Sequence, residues 1–207
     1  MQTMSDKIDN RWTQIIIAHY NENLDWTKYL NYPFTIISKS NIPTEVAPNK
    51  GYEASSFLQY IIDNYYNLPD ICVFVHAHRS DWHHKEHIDK KVNSLKFIYD
   101  YYNINDGGLI DLEGLLKNDH LRTYNILVEH VPILEKLLSK KIDLSQIKYR
   151  HCAQFYVTKQ LILSNSWEQY INMYMFLMQT KLPSYYSARF FEYLWHYIFT
   201  SKLVDKE

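Results

Sequence analysis

Glycine is scarce in this chain: among 207 residues there are four, Gly51, Gly107, Gly108 and Gly114. A glycine kept in so glycine-poor a sequence needs a reason, and Gly51 stands alone at the entry to an amphipathic segment. Cysteine is nearly absent too. Cys72 and Cys152, each in an apolar setting, read as buried thiols and are too few for a disulfide framework. No apolar run approaches the ~18 residues of a membrane span. The polar opening MQTMSDKIDNRW has no secretory core. Neither charge sign dominates: the formal net charge is -1, which removes the simplest electrostatic argument for nucleic acid or an anionic membrane as partner. These absences point to a cytoplasmic protein with neither type of partner.

What is present is ordinary globular material, 46% apolar and 22% charged, long enough to bury a core without staples. Ile15 to Ile17 is a β-branched run turning polar at His19, a short buried strand. Phe34 to Ser38 reads as a second strand, and the following SNIPTEVAPNKGYE as a loop. Ala54, Phe57, Leu58, Ile61, Ile62 and Tyr65 then keep helical spacing. Ile71 to Val75 is apolar without alternation, as in a strand covered on both faces of a parallel sheet. Strand, helix and strand in this order make a βαβ unit. The spacing predicts helices around His84 to Tyr101, Leu121 to Ser139 (interrupted near Pro132), Trp167 to Gln179 and Pro183 to Ser201, and a late strand from Cys152 to Thr158. The expectation is one α/β domain over residues 1–207. Its mostly parallel central sheet is flanked by helices, with a ligand-binding half over about 12–105 and a helix-rich half over about 106–207.

The chemistry concentrates in ICVFVHAHRSDWHHKEH, residues 71–87, which holds half of the ten histidines. Open α/β sheets bind ligands beyond the carboxyl ends of their strands. There His76 and His78, two apart on an extended chain, and Asp81 after a turn could offer imidazoles and a carboxylate to one cation. Two chemistries fit. A zinc-dependent hydrolase would use His76, His78, Asp81 and His83, close to an H-x-H-x-D-H spacing but off by one residue. A diphosphate site would need fewer protein ligands, because phosphate oxygens complete the shell. His83, His84 and His87 fit equally well on a solvated helix start.

Five blocks in order, IIIAHYNENLDW, PNKGYEASSFLQYIIDNYYNLPD, FVHAHRSDWHH, HCAQFYVTK and FEYLWHYIF, span residues 15–199. They resemble a group of GT-A-type glycosyltransferase-like domains of fungi and large DNA viruses. That resemblance implies a single GT-A-like, Rossmann-like fold and transfer of a sugar from a UDP-sugar donor to a glycan or protein-linked acceptor, with Mn²⁺ or Mg²⁺. If the source is viral, the compartment is the host cytoplasm. The acidic D-x-D of GT-A enzymes is here His76-Ala77-His78, so the metal set is expected from His78, Asp81 and His76.

The same resemblance places His19, Tyr20 and Asn21 by the nucleobase. It puts Lys50, Gly51, Glu53, His76, Arg79 and Gln154 on the donor's diphosphate and sugar, and Asp81 or Glu192 as the catalytic base. The family carries arginine where Tyr52 stands. Glu192 and His196, four apart on a helix, would flank the acceptor. Each position also has a plain reading: a loop cap for residues 19–21, a helix entry for Lys50 to Glu53, core flanking for Glu192 and His196. A non-catalytic sugar-nucleotide or glycan-binding module remains the alternative to an enzyme. The ending SKLVDKE is compatible with a domain cut from a longer protein.

Overall fold

The computed structural model describes residues 11–39, 49–81, 85–105, 110–149 and 153–200. In chain order its strands are β1 (Thr13–His19), β2 (Phe34–Ser38), β3 (Ile71–His76), β4 (Tyr101–Asn103), β5 (Ile110–Asp111), β6 (Lys148–Tyr149) and β7 (Phe155–Thr158). Five of them form the central sheet in the order β2-β1-β3-β7-β4, and β5 pairs with β6 apart from it. β1 is parallel to both β2 and β3, whereas β7 runs antiparallel to β3 and to β4. The sheet is therefore mixed, with the parallel part confined to the first half of the chain.

Its helices are α1 (Tyr52–Asn64), α2 (Ile88–Asn93), α3 (Leu112–Asp119), α4 (Leu121–Leu138), α5 (Lys159–Ile162), α6 (Trp167–Gln179) and α7 (Ser184–Thr200). Strand alternation sorts β1 and β3 into two cores. Ile15, Ile17, Ile71, Val73 and Val75 pack with Trp26, Ile88 and Val92 on one face. Ile16, Ala18, Cys72 and Phe74 pack under α1, α4, α6 and α7 on the other, where Phe57, Phe155, Trp195 and Phe199 close the layer. Ile15, Ile16 and Ile17 are all fully buried, each contributing about 1.5–3 kcal/mol. Covering on both faces explains why these strands are apolar without alternation.

Three expectations need correction. The helix expected over residues 84–101 is only the six-residue α2, ending at Asn93 and capped by Ser94, followed by β4. The aromatic run Phe97 to Tyr102 favours extended backbone and packs on Tyr156 of β7. Pro132 does not interrupt α4, which continues through it. The late strand begins at Phe155, residues 150–152 with Cys152 lying outside the described part.

The register pairs Ala18 with His76, so β1 and β3 end together at one edge. From β1 the chain passes outward to β2, then through α1 to β3 on the other side of β1. The gap between the ends of β1 and β3 is thus a topological switch point, where open α/β sheets receive ligands.

Candidate functional site

Two loops frame that gap. After β1, the Glu22 carboxylate turns back and accepts the backbone N–H of Tyr20 at 2.7 Å and of Asn21 at 3.1 Å. Burial pushes the Glu22 carboxyl up, but these amides and the nearby His78 outweigh it and hold the group below its usual range. After β3, His78 brings Nε2 to 3.6 Å from Glu22 Oε1. The loops are tied beneath this pair by Trp26, buried, whose Nε1 donates to the Ala77 carbonyl at 2.7 Å.

Asn21, Glu22, Asn23, His78, Arg79 and Ser80 line a cleft of about 520 Å³ between the loops. Arg79 is fixed there by a two-pronged bond to Asp89, Nε to Oδ1 at 3.0 Å and the second nitrogen to Oδ2 at 3.2 Å, with Tyr29 beneath its guanidinium. Burial opposes the charge on Asp89, yet the guanidinium lowers its carboxyl below the ordinary range, so the pair stays ionised. Beside the cleft, Ala18, His19, Tyr20 and Glu22 meet Asn49, Tyr52, Glu53 and Ser56 around a smaller pocket. The Ser56 hydroxyl is buried with no hydrogen-bond partner among the described residues.

The α1 entry is strained. Asn49, Gly51 and Tyr52 have φ of 52°, 74° and 44°. A Cβ on Gly51 would meet Ser55 Cβ at 3.0 Å and Leu177 Cβ at 3.4 Å, so glycine serves both the left-handed backbone and the close approach of α6. Lys39, 7% exposed, fastens this turn from below: its ammonium donates to the carbonyls of Lys50 and Tyr52 and to Ser55. Burial pushes the Lys39 amine down to about 8, with Glu53 acting in the opposite sense.

Other expected residues are engaged elsewhere. Lys50 does not face the cleft: its Nζ donates to the carbonyls of Thr180 at 2.9 Å and Leu182 at 3.0 Å, capping the end of α6. Gln154, 1% exposed, accepts from His76 N at 3.3 Å and donates to Asn105 Oδ1 at 2.9 Å, so its amide ties the tip of β3 to the chain just past β4. Both His19 ring nitrogens are bonded within the chain, to Ser38 Oγ and the Glu22 carbonyl. Glu192 lies on α7 beside Arg189 and Tyr193. It stands eight residues past Ser184, or about 12 Å along the helix, whereas Ser184 itself bonds Gly51 N. His196, on the same helix as Glu192, packs edge-on to Tyr101 of β4.

Three candidates expected as one metal set are spread out. The strand ends at His76, which is half-buried with Nε2 sealed from solvent, while His78 is exposed in the bend beyond it. Asp81 lies further along the same loop, and Trp82, His83 and His84 lie outside the described residues. Among the described residues no group of three or more His, Cys, Asp and Glu side chains is placed to hold a metal ion. What remains is the His78–Glu22 pair, one imidazole and one carboxylate, a donor set that suits a cation completed by phosphate oxygens.

Sequence reading missed Glu22, Trp26, Lys39 and Asp89. Glu22 and Trp26 stood in a quoted block, and an acid three residues past a strand end was signal enough for Glu22. Lys39 and Asp89 carried none, since nothing local foretells that a lysine after a strand or an aspartate in a short helix is buried.

Among the described residues no helix is long and apolar enough to cross a membrane. No curated protein and no solved structure matches the chain. Residues 14–207 match the family described as "Protein of unknown function (DUF3431)", and the chain belongs to that family.

Proposed function

We propose that the chain is a glycosyltransferase moving a sugar from a nucleotide-diphosphate donor, a UDP-sugar by resemblance, to a hydroxyl of a glycan or protein-linked acceptor. The observation that carries this reading is the cleft at the β1/β3 switch point with Glu22 and His78 across it. Residues 21–23 of the block IIIAHYNENLDW, and His78, Arg79 and Ser80 of the block FVHAHRSDWHH, line it from the two loops. The buried Ser56 hydroxyl next to it, without a hydrogen-bond partner among the described residues, is the kind of group that a bound polar ligand satisfies.

In the reaction the bond between the anomeric carbon and the phosphate oxygen breaks, the acceptor oxygen bonds that carbon, and its proton passes to a carboxylate. Arg79, held charged by Asp89, borders the cleft where negative charge grows on the leaving diphosphate. Asp81, on the same loop, is the carboxylate assigned to the acceptor proton. Glu22 is unsuited to that task because its amide bonds favour the ionised form. A divalent cation, when bound, would further offset the diphosphate charge, with His78 and Glu22 as its protein ligands.

A second reading is a sugar-nucleotide-binding module without turnover. It is favoured by Lys50, Gln154 and His19, three expected donor contacts that internal hydrogen bonds already occupy. A thermal-shift screen of UDP, GDP and CDP with and without Mn²⁺, paired with UDP release from UDP-sugars, separates the two. A Mn²⁺-dependent shift with UDP release supports the transferase. A shift without release supports the module, and no shift with any nucleotide removes the donor site.

A further inference from the structure

Past Ser80 lies a second pocket of about 240 Å³, lined by Ser80, Lys85, Glu86, His87 and Lys90. Ser80 lines both, so the two pockets adjoin at this residue. The charge differs between the two flanks. On the β1 side the pocket beside the cleft carries the carboxylates of Glu22 and Glu53 and no lysine or arginine. On the α2 side two lysines and an imidazole stand against one carboxylate, Glu86. Ser80 Oγ and His87 Nδ1 are 2.6 Å apart, which fixes the ring. When Nδ1 accepts the Ser80 hydroxyl, Nε2 carries the ring proton and is a donor. Lysine ammonium and imidazole N–H are donors that hold phosphate oxygens, while the Ser80 hydroxyl, its proton given to Nδ1, orients the ring.

We propose that Lys85, His87 and Lys90, with Ser80 orienting the His87 ring, form a phosphate-binding pocket beside the cleft. The pocket takes over the role expected of Lys50, which is spent on the end of α6. The phosphate belongs either to the donor's diphosphate or to a phosphorylated acceptor. The proposal rests on the transferase reading only for that choice of owner.

The test is isothermal titration of wild type and of the K85Q/K90Q double variant with inorganic pyrophosphate, UDP, uridine, and glucose 6-phosphate in the presence of UDP. All the substituted positions are exposed, so unchanged thermal melting serves as the folding control. H87Q provides an independent arm. The expected result is pyrophosphate binding to wild type that weakens by about tenfold or more in each variant, with uridine unaffected. A matching loss for UDP assigns the pocket to the donor. UDP binding unchanged, with glucose 6-phosphate binding lost, assigns it to the acceptor. Pyrophosphate binding that is absent from wild type, or equal in all three proteins, overturns the pocket. UDP-sugar turnover, measured in parallel, keeps the two ideas apart. Turnover with variant-insensitive pyrophosphate binding removes the pocket alone, and pyrophosphate capture without turnover removes the transferase alone.

Discussion

Glu22 Oε1 lies 3.6 Å from His78 Nε2, joining the loop after β1 to the loop after β3. The Trp26–Ala77 bond holds the same two loops from beneath. An imidazole and a carboxylate kept this close, one exposed and one half-buried, can close on a shared cation or stay as an ion pair. E22Q keeps the shape and removes the charge. It is expected to weaken Mn²⁺-dependent UDP binding by at least about tenfold, the scale of one charge-assisted contact. Calorimetry with and without Mn²⁺ checks it. Equal affinities in the two proteins would assign the pair a purely structural role.

The same carboxylate carries a pH signature. Its folded-state pKa is depressed below the ordinary 4.5, so near and below that value the unfolded chain binds the extra proton first. Glu22 therefore adds stability that is fully present above the unfolded value and fades as pH falls through the folded one. The stability difference between wild type and E22Q, from urea melts, is expected to shrink between pH 6 and about pH 3. A difference that is constant or growing on acidification would contradict the amide contacts assigned to this side chain.

Gly51 makes a sharper structural prediction. G51A must place a Cβ at φ 74° and 3.0 Å from Ser55 Cβ. The left-handed backbone costs about 1–2 kcal/mol for a non-glycine residue, and the contact adds to it. A loss of roughly 2–3 kcal/mol in chemical denaturation is expected. No loss would mean that the turn at Asn49 to Tyr52 relaxes freely.

Lys39 tests the strain beneath that turn. Its amine is pushed down to about 8 from an ordinary 10.5, so between these values the unfolded chain binds more protons than the folded one. Stability contributed through this group must then rise with pH across that window, at up to about 1.4 kcal/mol per pH unit. Because other groups titrate there as well, the readout is the difference between wild type and K39M. That difference is expected to move in favour of wild type from pH 8 to 10. At pH 7, K39M loses the bonds to Lys50 O, Tyr52 O and Ser55, and with them the fixed geometry of the α1 entry.

The parts of the fold written in local pattern were legible beforehand. The isoleucines of β1 and the apolar run of β3 announced doubly covered strands, and the spacing from Ala54 to Tyr65 announced α1. The direction of β7 was not legible, because an apolar run has the same composition whichever way it pairs. The site divides along the same line. The strand-end position of His76 and His78 followed from chain order, and the place of Gly51 at a helix entry followed from the scarcity of glycine. The destination of a long side chain did not: Lys50 and Gln154 meet partners 130 and 78 positions away. A charged or amide residue in a motif block reads identically whether it faces a ligand or a carbonyl of its own chain.

Gln154 shows how to tell those two fates apart by experiment. Its amide is 1% exposed and joins His76 N to Asn105 Oδ1, so both atoms it serves are left without it once the amide is removed. Q154L preserves much of the volume and discards both bonds. Removing one partner of a buried hydrogen bond costs about 1–3 kcal/mol, and Gln154 takes part in two such bonds. The variant is expected to lose roughly 2–4 kcal/mol in urea denaturation. Any loss of ligand affinity should be modest, since it acts only through the displaced end of β3. The opposite pattern, stability within about 0.5 kcal/mol of wild type and a large drop in UDP-sugar affinity, would return Gln154 to the sugar and show that its contact to His76 opens when a ligand enters.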